Sequence, residues 1–138
     1  KTKPSITAKQ VKEKMVQEGI PPQLQDQIQR LQQVRSQVQM IAQQRQQIEL
    51  QLKETEEALK EIENTTDKTP IYKSVGAILI KTKGKNEIKK ELSNSKESLE
   101  LRKTTLEKQE GRTREKLNEL QSKVENALNL AGKEASDD

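Results

Sequence analysis

From Leu24 onward, steps alternating between three and four residues land on Leu24, Gln27, Leu31, Val34, Val38, Ile41, Arg45, Ile48, Leu52, Thr55, Leu59 and Ile62. Nine of these twelve positions are apolar, the pattern of a helix that buries one narrow seam against a partner helix. The Gln-rich run between Gln23 and Gln51 places only Gln27 on that seam, so helical patterning outweighs a low-complexity reading. A second, looser series follows: Ile88, Leu92, Leu99 and Leu106, then after a phase shift Leu117, Leu120, Val124 and Ala127 or Leu128, with Ser95, Arg102 and Thr113 as polar interruptions. Gly111 falls inside this second helix, where it predicts either a close approach to the facing helix or a soft spot.

Pro21-Pro22 opens the first helix and Asn64-Thr65-Thr66-Asp67 closes it, while Asn86 followed by Glu87 predicts the cap of the second. The helices are expected over 22–62 and 86–128, each about 60 Å long at 1.5 Å per residue. Equal lengths predict antiparallel pairing between residues whose numbers sum to about 150. Ile62 then meets Ile88, Leu59 meets Leu92, Leu52 meets Leu99, Leu31 meets Leu120, and Gly111 lies opposite Met40.

Between the helices stands one stretch of a different kind, "IYKSVGAILIKTK" from Ile71 to Lys83. Ile71–Val75 and Ala77 or Ile78–Thr82 read as two short strands, with Gly76 supplying the backbone freedom of a hairpin turn. An isolated two-stranded hairpin is marginal in water, and this one exposes Ile71, Val75, Ile78, Leu79 and Ile80. The economical expectation is that hairpins of several subunits share one sheet or barrel. The alternative, a hairpin folded onto its own helical base, leaves both edges unpaired.

Composition narrows the chemistry. The 138 residues are 29% apolar and 35% charged, with Tyr72 the sole aromatic, which disfavours a compact single core. With no Cys and no His the chain lacks a thiolate or imidazole for metal binding, disulfides or His-based catalysis, so no catalytic, metal or cofactor-binding residue is expected. "TKGKNE" lacks the pattern of a phosphate-binding loop. No apolar run approaches the roughly 20 residues that span a bilayer, and no signal-peptide core is read at the N-terminus, so a soluble cytoplasmic protein without membrane contacts is expected. The net charge of +4 is uneven, with +3 over residues 1–18 and +5 over 70–90. Nucleic-acid binding through these lysines is disfavoured because no aromatic stacking platform accompanies them.

The order of three segments, "IPPQLQDQIQRLQQVRSQVQMIAQQRQQIELQLKETEEALKEIE", "IYKSVGAILIKTK" and "NEIKKELSNSKESLELRKTTLEKQEGRTREKLNEL", resembles the prefoldin β-type subunit family over about residues 20 to 130. The "PPQ" start, the "YKSVGAILIK" hairpin and the "LRKTTLEKQE" segment carry the likeness. The resemblance implies a mainly α fold: a long antiparallel two-helix coiled coil with a central β-hairpin that joins an oligomeric β-barrel platform. It implies an ATP-independent holdase, not an enzyme, working as a hetero-hexamer with α-type subunits and other β-type copies. Its implied partners are unfolded polypeptides, held at the coiled-coil tips, and a group II chaperonin that receives them.

Carried onto this chain, the resemblance assigns Ile71, Tyr72, Val75, Ile78, Leu79 and Ile80 to subunit assembly. It assigns Ile20, Leu24, Ile28, Leu31, Leu120, Val124, Leu128 and Leu130 to the client-binding tip. The expected organisation is an extension at 1–18, a first helix at 19–64, a linker and hairpin at 65–85, a second helix at 86–131 and a disordered tail at 132–138. Two features depart from the family: Gly111, and the extension. There Thr7 and Gln10 read as a capping box, and Val11 and Met15 share a face, pointing to a short extra helix or a disordered basic arm. The rival reading is a coiled-coil scaffold or tether that the hairpin merely oligomerises.

Overall fold

The computed structural model describes residues 19–136, with side chains to Gly132, so the expectations for residues 1–18 lie outside it. Four elements follow in order: α1 (Pro22–Glu63), β1 (Tyr72–Val75), β2 (Ile78–Lys81) and α2 (Lys85–Ser136). The chain divides into two compact units, one joining residues up to Met40 with those from Glu110 onward, the other spanning Ile41–Gln109.

Helix α1 starts where proline permits it. Pro22 has no N–H to leave unpaired, and the carbonyl of Pro21 accepts the amide of Gln25 at 3.1 Å. None of the twelve expected seam positions from Leu24 to Ile62 is exposed. Gln25 is a correction to the outer-face assignment of the glutamines, because it is buried beside Leu24. At the C-terminus, Thr65 folds back: its amide and its hydroxyl both donate to the carbonyl of Ile62, at 3.1 and 2.6 Å. Among the otherwise unpaired carbonyls of such a helix end, those of Glu63 and Thr65 receive Lys85 Nζ from the start of α2, at 3.4 and 2.9 Å.

Helix α2 differs from expectation in three places. Its cap is Gly84, with φ of 122°, whose carbonyl accepts from Ile88, so Asn86 lies inside the first turn. Glu87 still reaches backward, accepting the Lys83 amide at 2.8 Å. The phase shift also dissolves. Leu92, Lys96, Leu99, Lys103, Leu106, Glu110, Thr113, Leu117, Leu120, Val124 and Ala127 form one unbroken heptad of shielded positions, whereas Ser95 and Arg102 are exposed. Lys96 and Lys103 serve there because a lysine stem is apolar enough to lie along the seam while its ammonium reaches Glu100 or Glu107. Finally, the helix passes position 128 and continues through Gly132 to Ser136.

Within each unit the side chains that meet are those the antiparallel register requires. In the first, Leu24, Leu31 and Val124 form the buried cluster, with Ile20, Ile28, Leu117, Leu120 and Ala127 against it. In the second, Thr55 and Ala58 share an open groove with Leu92, Ser95 and Leu99. Gly111 has no packing role of the expected kind: a Cβ built there meets nothing within 4 Å, and Met40 is 60% exposed.

Candidate functional site

The hairpin of the second unit pairs Tyr72 with Lys81, Lys73 with Ile80, Ser74 with Leu79 and Val75 with Ile78. Gly76 and Ala77 form the two-residue loop, and Gly76 alone has positive φ, 60°, the pattern of a type II′ turn. The ladder extends one pair outward, where the amide and hydroxyl of Thr82 both donate to the Ile71 carbonyl, at 2.9 and 2.8 Å.

Partners across a ladder share a face, so Lys73, Val75, Ile78 and Ile80 lie on one side and Tyr72, Ser74, Leu79 and Lys81 on the other. Of the six expected assembly residues, Ile71 is half-buried, and the other five are exposed by half or more, Leu79 by 71%. Among the described residues the sheet has two strands, so each has one edge without a strand beside it. An apolar segment of this kind is a template for pairing with further strands.

The base of the hairpin is tied to the helices. Ile71 lines a cavity of about 480 Å³ with Ala58, Ile62, Ile88 and Leu92, and Lys73 reaches Glu91 at 3.4 Å. Glu63 forms an ion pair with Lys89 at 2.5 Å. The hydrogen bond from Lys89 and then its charge hold the Glu63 carboxyl below the ordinary glutamate value, opposed by desolvation and helped last by the charge of Lys85.

The eight expected tip residues separate by exposure. Leu24, Leu31 and Val124 are buried seam residues; Ile20, Ile28 and Leu120 are half-buried around them; Leu128 and Leu130 are exposed, at 41% and 64%. The structure thus brings six of the eight into one cluster, and leaves Leu128 and Leu130 outside it. Gln25, which sequence patterning missed, lies buried here and donates Nε2 to the Ile20 carbonyl at 2.9 Å. Glu110 is also buried in this unit and accepts Nε and Nη2 of Arg114 at 3.2 and 3.0 Å. Among the described residues there is no cluster of His, Cys, Asp and Glu that could hold a metal ion, and no helix is long and apolar enough to cross a membrane.

Two paired helices flanking one hairpin are matched by known proteins. A family profile described as "Prefoldin subunit" covers residues 25–130. The chain belongs to the prefoldin family. A prefoldin subunit beta of Archaeoglobus fulgidus is 44% identical over 109 residues, covering 79% of this chain and 93% of the relative. The prefoldin subunit beta of Sulfurisphaera tokodaii is 40% identical over 111 residues, covering 80% and 88%. The crystal structure of a prefoldin beta subunit from Thermococcus strain KS-1 superposes with a TM-score of 0.72 at 40% identity, covering 79% of this chain and 95% of that one. The prefoldin likeness therefore takes in both helices and the hairpin, and α1 and α2 with β1 and β2 are the prefoldin beta fold.

Proposed function

We infer that this chain is the β-type subunit of an ATP-independent holdase. The observation that carries the inference is the hairpin, which exposes Tyr72, Val75, Ile78, Leu79 and Ile80 in a chain of a family whose members are complex-forming subunits. The strands of several hairpins, from α-type subunits and other β-type copies, close into a barrel platform that covers these side chains and removes the open edges. The assembly is a hetero-hexamer that works in the cytoplasm without cofactor or catalysis.

Client capture falls to the first unit. Leu128 and Leu130 offer exposed apolar surface, and the half-buried Ile20, Ile28 and Leu120 join them when the helix ends fray. Each such patch is weak, but several patches fixed to one platform bind a single unfolded chain with avidity and need no deep pocket. The held polypeptide is then passed to a group II chaperonin.

The test is aggregation of a chemically unfolded client on dilution, without nucleotide. Suppression by the assembled protein, and its loss in L128S/L130S at unchanged native mass, is the expected result. These two leucines lie outside the buried seam, so the substitutions leave the fold intact. Equal suppression by the variant would remove Leu128 and Leu130 from the mechanism. No suppression by a correctly assembled oligomer would favour a scaffold.

A further inference from the structure

In the first unit Gly19, Ile20 and Pro21 lead into α1 ahead of its first turn. Gly19 has φ of 77°, a left-handed conformation that side chains resist, and Ile20 beside it packs against the Leu24, Leu31 and Val124 cluster. Gln25 lies one residue past the seam leucine yet is only 4% exposed. Its Nε2 donates to the carbonyl of Ile20 at 2.9 Å, and its backbone amide donates to the carbonyl of Pro21 at 3.1 Å. A carbonyl oxygen can only accept, so it is the nitrogen of the side-chain amide that faces Ile20. One residue thus holds two consecutive carbonyls of the entering chain.

A buried amide is costly wherever it lacks a partner, and an apolar side chain of the same length would bury more favourably at this place. What the amide provides is a fixed position for Ile20. With Ile20 in place, Leu24 and Val124 are 4% and 5% exposed. With Ile20 released, both lose part of their cover, and the apolar surface of this end grows. We propose that Gln25 is a positioning residue that latches Ile20 over the Leu24–Val124 cluster and thereby sets how much apolar surface is open to an unfolded polypeptide. The link to capture rests on the reading of this end as the client-binding tip; the latch itself does not.

The chain has no cysteine, so Ile20→Cys creates a single thiol whose maleimide labelling rate reports release of position 20 in the full assembled protein. Against I20C alone, I20C/Q25M, which keeps the length of the side chain but has no donor, is expected to label about 5-fold faster, the equivalent of one ordinary hydrogen bond. I20C/Q25E is expected to label faster still, because its carboxylate faces the Ile20 carbonyl. With Ile20 intact, Q25M is expected to capture reduced carboxymethylated α-lactalbumin, a permanently unfolded polypeptide, more tightly at unchanged helical content. Labelling unchanged by Q25M overturns the latch. Faster labelling with unchanged capture keeps the latch and overturns its control of the client surface. Loss of the holdase effect is read separately from L128S/L130S.

Discussion

At Gly111, α2 continues without interruption, and an added Cβ would enter open space. The glycine therefore costs backbone entropy with no compensating contact, and Gly111→Ala is expected to stabilise the chain by about 1 kcal/mol, read as a higher midpoint in urea. Glu63 is a second residue with a readable consequence. Its carboxyl is held below 4.5 in the folded chain by Lys89 first and Lys85 after it, so its contribution is present above that value and is lost as the pH falls through the lowered one. The difference in melting temperature between the wild type and Glu63→Gln should be small, because the pair is exposed to solvent, and should close as the pH falls below 4.5. A difference that grows on acidification would contradict this assignment.

At the scale of elements, the hairpin turn reverses the lesson of Gly111. Gly76 also has open space around its missing Cβ, but its φ of 60° is left-handed, so Gly76→Ala is expected to destabilise the hairpin by about 1–2 kcal/mol. A weaker hairpin should show as a lower assembled mass at equal concentration. The elements were legible in sequence to different degrees, for physical reasons. The α1 seam could be read because its side chains from Leu24 to Ile62 are mostly aliphatic. Along α2 the positions at Lys96, Lys103 and Glu110 are charged, so a pattern built on apolar identity lost the phase that the lysine stems in fact keep. The hairpin was visible from Gly76 and its β-branched flanks, whereas the tether through Lys85 was not, since it depends on carbonyls brought together only when α1 ends beside α2. Gln25 escaped for a related reason: its partner is a backbone carbonyl, and carbonyls carry no sequence signature.

At the scale of the whole molecule, the expected consequence of the exposed hairpin is assembly. I78S/L79S removes the two most exposed apolar side chains of β1 and β2 while leaving the register unchanged, so helical content should persist and native mass should fall. An unchanged mass would place the interface elsewhere. The two helices carry a separate implication. Among the described residues no side chain is fully buried, because the seam is one residue deep. Each layer answers only to the layers next to it, so removing seven residues from α1 and the matching seven from α2 deletes two layers and asks nothing of the rest. Helix length is thus free to drift over evolutionary time in paired steps, a dimension in which such a protein can be retuned without being redesigned.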